Sequence, residues 1–377
     1  MTAAASDLII RALLMPDAVS QLSLPEWDLL VRQGRRTKLL ARLAHRLVNA
    51  GVMASVPDAP RRHLLAEKKM ADRQIQSVQW EVTCLGRELA ELGVSTVLLK
   101  GAAYVLAGLP IAAGRTFSDI DILVPKKRLP DVESQLMVYG WMNANTDAYD
   151  EQYYRRWMHE IPPLTHRFRG TALDVHHAIL PETARVKVNT AALFDALVAV
   201  AGHPGMHVLP PWDMFLHSAT HLFHEGEFDS GLRDLFDLDS LLRHFGQSVP
   251  GFWDGLVPRA RQLGLTRPLF YALRYTTRML QTPVPAAVLQ AAAAGGPPVG
   301  VRQCMDACYA RALRPMHASS DGWWSGPART ALYVRSHWIR MPFLLLAYHL
   351  GRKALVKPER DEPEKVVDKF QDDIPAP

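Results

Sequence analysis

Cysteine is scarce. Three occur in 377 residues, Cys84, Cys304 and Cys308, too few for a disulfide framework or a four-cysteine zinc site. No uninterrupted apolar run reaches the ~18 residues of a membrane span. The opening stretch, MTAAASDLIIRALLMPDAVS, lacks the basic and apolar regions of a secretory leader. There is no internal repeat, and little excess of either charge: 43 Lys+Arg against 38 Asp+Glu leaves +5, with a pI near 9.1. That balance suits a phosphate-bearing ligand without requiring a nucleic acid. With 48% hydrophobic and 21% charged residues, most of the chain has the material for a buried core. A soluble, reduced, cytoplasmic protein is the expectation.

Periodicity divides the chain. Residues 1–93 read as a helical region. One helix opens at Pro25 and Glu26 and runs to Gly51, with Leu29, Leu30, Leu39, Leu40, Leu43 and Leu47 at helical spacing. A long one follows from Pro60 to Leu92 and stops at Gly93. Residues 94–185 change character. The runs Val94 to Leu99 and Ile120 to Val124 read as strands, and Leu164 to Phe168 with Ala172 to Ile179 as a hairpin. Helices are expected at Ala102 to Gly108 and Lys126 to Tyr139. From about Thr190 the chain reads as helical again, giving a domain over 186–356. Residues 357–377, with four prolines and many charges, read as a disordered tail. The fold class is therefore α+β: a small mixed sheet flanked by N-terminal helices and a C-terminal helical domain.

The chemistry concentrates in LLKGAAYVLAGLPIAAGRTFSDIDILVP, Leu98 to Pro125. Side chains alternate faces along a strand, so Asp119 and Asp121 share one face while Ile120 and Ile122 anchor the other. Two carboxylates ~7 Å apart repel unless a cation lies between them. Hard oxygen ligands suit Mg²⁺ or Mn²⁺. In Leu173-Asp174-Val175-His176 the same alternation puts Asp174 and His176 on one face. If the two strands are neighbours, three aspartates converge, the minimum for a two-metal site.

Lys100-Gly101 at a strand end, a short helix, Arg115-x-x-Ser118-Asp119-Ile-Asp121-Ile-Leu-Val, and a later Leu-Asp174-Val-His strand together resemble the polymerase-β-type nucleotidyltransferase superfamily. They are most similar to a bacterial branch of largely uncharacterised nucleotidyltransferases. The resemblance covers about residues 86–180, and extends weakly to HSATHLFHE and LRDLFDLDSLL. It implies Asp119 and Asp121 as paired metal ligands, Asp174 as the third carboxylate, and Gly101 as the glycine of a phosphate-binding turn. It further implies transfer of a nucleoside monophosphate from a nucleoside triphosphate to an acceptor hydroxyl, dependent on Mg²⁺ or Mn²⁺. The acceptor is not legible. Where the superfamily has Gly-Gly or Gly-Ser, this chain has Lys100-Gly101-Ala102; Lys100 or Arg115 would then clamp the triphosphate, with Ser118 beside them.

Arg115 has a second reading, pairing with Asp119 across a turn, and Asp237 could fix the helical domain to the catalytic unit. His217, His221 and His224 share a helix face. With no HExxH motif and no nearby cysteine, they read as lining the cleft between the two halves rather than as a zinc site. Residues 335–357 combine an apolar centre with five basic residues, and read either as a terminal helix on the core or as a weak contact with an anionic membrane surface. The alternative from another class is a catalytically silent nucleotide-binding scaffold with the same fold.

Overall fold

The computed structural model describes residues 7–143, 154–155, 157–224 and 226–342. The expected tail over 357–377 and most of the basic-apolar segment 335–357 lie outside the described residues.

The N-terminal helices are α1 (Leu8–Leu14), α2 (Leu24–Arg36), α3 (Leu40–Asn49) and α4 (Asp58–Leu89). At the start of α2 the Glu26 carboxylate accepts both the amide and the hydroxyl of Ser23, which ties down an end that would otherwise leave free donors. The single helix expected from Pro25 to Gly51 is two. The chain turns at Lys38, whose φ is +57, and the Leu39 amide bonds back to the Gly34 carbonyl. Leucine spacing alone does not mark such a break, because the apolar face resumes on α3.

Strand β1 (Thr96–Leu99) leads directly into α5 (Lys100–Leu106). Then come β2 (Asp119–Leu123), α6 (Leu129–Val138), β3 (Trp141–Asn143), β4 (Leu164–His166), β5 (Ala172–His176), β6 (Val198–Ala199) and β7 (Met206–Val208). They form one mixed seven-stranded sheet in the order β3-β4-β5-β2-β1-β7-β6. Strands β2 and β5 run parallel with Asp121 opposite Asp174, and β1 runs antiparallel to β2 with Leu99 opposite Asp121. The expectation of helix from about Thr190 missed β6 and β7; Met206 to Val208 pair in parallel with β1. Strands of two and three residues carry too few alternations to register as a period.

The long helix α4 is tied to the sheet by two carboxylates. Glu88 accepts the Trp141 indole N–H at 2.7 Å, and Glu81 accepts the Thr171 hydroxyl at 2.9 Å. Arg169 bridges both acids. After the sheet come α7 (Pro211–His224), α8 (Gly231–Ser248), α9 (Phe252–Leu263), α10 (Thr266–Leu280), α11 (Ala286–Ala293), α12 (Val299–Ala312) and α13 (Ser325–Arg340). The architecture is α+β. Phe223, Tyr271, Tyr275 and Tyr309 form the aromatic centre of the helical part, where each large ring buries a large apolar area.

Candidate active site at the β1, β2 and β5 strands

The strand pattern positions the site. Ile120 and Ile122 are almost fully buried on one face of β2, so Asp119 and Asp121 must project from the other. On β5, Leu173 and Val175 are fully buried and turn Asp174 and His176 to that same side. Parallel pairing in register then sets Asp121 beside Asp174.

Asp121 is buried and holds two hydrogen bonds on one oxygen. Lys100 Nζ donates to Oδ1 at 2.7 Å, and His176 Nε2 lies 3.1 Å from the same atom. Burial alone would raise the Asp121 carboxyl, yet these two neighbours hold it far below the usual carboxylate range. Burial would lower the Lys100 ammonium, but Asp121 holds it above the lysine range. His176 also reaches Glu160, Nδ1 to Oε2, at 3.0 Å. Against its burial, Asp121 and Glu160 lift the imidazole above its ordinary value. Glu160 arrives there because residues 160–161 run antiparallel along the end of β5: Glu160 bridges His176, and the Ile161 amide bonds to the Val175 carbonyl.

Asp174 has the opposite character. Among the described residues neither of its oxygens has a hydrogen-bond donor. Burial, then Asp121 and Glu160, push its carboxyl up to about 7. One ligand atom from each of Asp121, Asp174 and His176 falls within 4.8 Å of the others. A largely buried carboxyl without a donor, beside a second carboxylate whose Oδ2 also has none among the described residues, is the environment a hard divalent cation satisfies. Asp119 sits half-buried at the start of β2 and accepts the Ser118 hydroxyl at 2.9 Å. It stands outside that three-residue cluster, on the same strand face. The residues fit Mg²⁺ or Mn²⁺ through carboxylate oxygens, whereas both His176 nitrogens are engaged with acids.

Two of the predicted phosphate-contacting residues lie elsewhere. The Arg115 guanidinium is buried and gives Nε to Asp237 Oδ2 at 2.8 Å. Arg42 of α3 pairs with the other oxygen of Asp237, and Arg115 also rests on Tyr104 and Phe117. Neither the expected triphosphate clamp nor the pairing with Asp119 is what it makes; instead it joins the β1–β2 loop to α3 and α8. Gly114, with φ +70, makes this possible, since a Cβ there would come 2.6 Å from the Arg42 Cα. Gly101 is a packing glycine. A Cβ would sit 2.6 Å from both Arg115 and Phe117, so its smallness seats α5 on that loop. Lys100 does reach the cluster, in a strained conformation with φ +44, the kind of outlier that concentrates at functional sites.

Of the three aligned histidines, two lie close enough to the cluster to feel the Lys100 charge. Burial, followed by Lys100 and His176, lowers His217 to about 3; His221 is lowered by burial and Lys100. Neither ring has a hydrogen bond among the described residues. His224 turns toward α13 and lies 3.2 Å from the Thr220 carbonyl. The His159 ring packs at a tilt of 33° against His176, with centroids 5.3 Å apart. No spacing in the sequence points to His159 or Glu160, because their role depends on pairing with the end of β5. A cavity of about 800 Å³ lies at the opposite end of β2, between Lys126, His177 and Phe194, away from the carboxylates.

The pattern of a family described as uncharacterised nucleotidyltransferases matches residues 23–281. No curated protein gives a significant match. Among solved structures, an antigenic nucleotidyltransferase-like protein from Paracoccidioides brasiliensis is similar at 15% identity and a TM-score of 0.32, over 56% of this chain and 96% of that one. So loose an overlap carries no argument about the site.

Proposed function

This chain belongs to that nucleotidyltransferase family, and from this premise we propose that it transfers a nucleoside monophosphate from a nucleoside triphosphate to an acceptor hydroxyl, with release of pyrophosphate. The observation that carries the reading is the in-register pair Asp121 and Asp174, one oxygen of it held by Lys100 and the Asp174 carboxyl without a donor. Asp119, Asp121 and Asp174 would hold Mg²⁺ or Mn²⁺. Such an ion supplies charge for the triphosphate and acidity for the attacking hydroxyl.

The chain's own residues do the rest. Lys100, whose ammonium rests on Asp121, would offer it to the phosphates and there oppose developing negative charge. His176, fixed between Asp121 and Glu160, keeps the Asp121 carboxylate in one orientation. Asp174, whose carboxyl burial and its acidic neighbours raise to about 7 in the metal-free chain, would be a carboxylate once it holds the ion, and there it can orient the acceptor hydroxyl and accept a hydrogen bond from it. His217 and His221 are kept uncharged by burial and by the Lys100 charge.

Incubation with each α-labelled nucleoside triphosphate and Mg²⁺ against a cell extract tests the proposal. Label should move to an acceptor with wild type and not with Asp121→Asn. Label transfer undiminished in that variant would refute it. A silent scaffold would bind triphosphate and transfer nothing.

A further inference from the structure

Beyond Asp119 the sheet edge opens into a second hollow of about 310 Å³. It is walled by Gln74, Ser77 and Trp80 of α4, and by Phe117, Ser118 and Asp119. We infer that this hollow holds the nucleobase of the triphosphate, stacked on Trp80 and Phe117; the inference rests on the proposed nucleotidyl transfer and adds where the base goes.

Three observations carry it. Asp119 belongs to both places: its side chain shares a strand face with Asp121, and it lines the hollow. A base and an α-phosphate are separated by one ribose, so a base pocket must adjoin the carboxylates. The larger cavity fails this condition, since Asp121 to Pro125 is four residues of extended chain, about 13 Å.

The walls also suit a flat heterocycle. Trp80 is 56% exposed, an unusual position for an indole, and Phe117 is only partly covered. Aromatic faces in this state are stacking platforms for bases of any sequence. Arg169, which also lines the hollow, lies over the Trp80 ring at 5.8 Å from its centre and is held by Glu81 and Glu88, which restrains the indole.

The polar groups are free on the right atoms. Gln74 Oε1 accepts the Phe117 amide at 3.1 Å, which fixes the amide and leaves its NH₂ without a partner among the described residues. Ser77 donates its hydroxyl proton to the Arg73 carbonyl, and so turns acceptor lone pairs outward. A donor and an acceptor one helical turn apart can meet the hydrogen-bonding edge of a base.

The test compares binding of Mg·ATP, Mg·GTP, Mg·CTP and Mg·UTP with that of Mg·tripolyphosphate, by calorimetry, on the full chain. Wild type should prefer at least one nucleotide over tripolyphosphate by tenfold or more. Trp80→Ala, a change at a half-exposed position, should weaken that nucleotide about ten- to hundredfold, the range for one stacked base, and leave tripolyphosphate unchanged. Trp80→Phe should restore most of the loss, and Ser77→Trp, which fills the hollow, should repeat it. Equal affinity for nucleotide and tripolyphosphate, or a Trp80→Ala variant with the wild-type ratio, overturns the base pocket while leaving nucleotidyl transfer standing. Failure of wild type to bind any triphosphate overturns both.

Discussion

Two buried aspartates, Asp121 and Asp237, each meet two basic side chains, and they are opposites in purpose. Asp237 gives one oxygen to Arg42 and the other to Arg115, so both lone-pair sets are met. Burial would raise its carboxyl, and the two guanidiniums hold it below the carboxylate range. Arginine cannot give up its charge and presents rigid donors; this cluster is a permanent clamp between α3, the β1–β2 loop and α8. Asp121 instead meets a lysine and a histidine on a single oxygen, and beside it stands Asp174, without a donor among the described residues. Lysine can swing away and histidine can lose its proton. A carboxylate with both oxygens met by fixed charges holds elements together; one beside a second acid that lacks a donor leaves room for a ligand to finish it.

The comparison breaks most decisively at Asp237. Asp237→Ala strands Arg42 and Arg115 as buried, unpaired charges, which should cost about 3–5 kcal/mol of stability. Urea unfolding reads this directly. A variant that unfolds at the wild-type midpoint would mean the clamp holds nothing.

Next in size is Asp121→Asn. Transfer should fall by about 10²–10³, typical for loss of a group that positions the reacting charges, while the fold persists. Its unfolding midpoint should move much less than that of Asp237→Ala, because Lys100 can turn to solvent and His176 can deprotonate. Equal destabilisation of the two variants would erase the distinction drawn between the clusters.

A pH dependence sharpens the contrast. Asp174 titrates near 7 in the folded chain and at about 3.9 when unfolded. Its raised value means that the folded state binds the extra proton. Metal-free stability from this group is therefore full at low pH and is lost as pH rises from about 4 through 7. Asp121, with its lowered carboxyl, works in the other direction and is lost only below about pH 4. Asp174→Asn should flatten the decline between pH 5 and 8 seen in thermal unfolding without metal, and should raise the melting temperature at pH 8. Mg²⁺ must displace that proton, so wild-type affinity for the ion should tighten as pH rises toward 7. A decline that survives in Asp174→Asn would assign the titration to another group.

Smallest is the effect of Lys100→Met, which keeps the side-chain stem and removes the charge. Nucleotide binding should weaken by about 1–3 kcal/mol, as for one charge-assisted contact, and calorimetry with Mg·NTP measures it. An unchanged affinity would leave Lys100 only as the partner of Asp121.

Much of the fold is legible from local patterns. Strands β1, β2 and β5 and most helices lie where periodicity sets them, because a buried strand face or a helical stripe must repeat at 2 or 3.6 residues. The break at Lys38 and the short strands β6 and β7 escaped, since one residue with positive φ or two residues of pairing leave no period. At the site, Asp119, Asp121, Asp174 and Lys100 came from spacing and resemblance. Glu160 and His159 did not, since nothing near them in sequence announces that their segment pairs with β5.

The sequence by itself determined which side chains share a face: Asp119 with Asp121, Asp174 with His176, and His217 with His221. That follows from backbone geometry within one element and needs no knowledge of its neighbours. Only the tertiary structure decided who answers whom. Arg115 lies four residues from Asp119 but pairs with Asp237, 122 residues away, and Lys100, read as a phosphate contact, rests on Asp121. Partners of buried charges are chosen by which strands and helices become neighbours, since burial strengthens whichever opposite charge is nearest in space, and distance along the chain carries no such information.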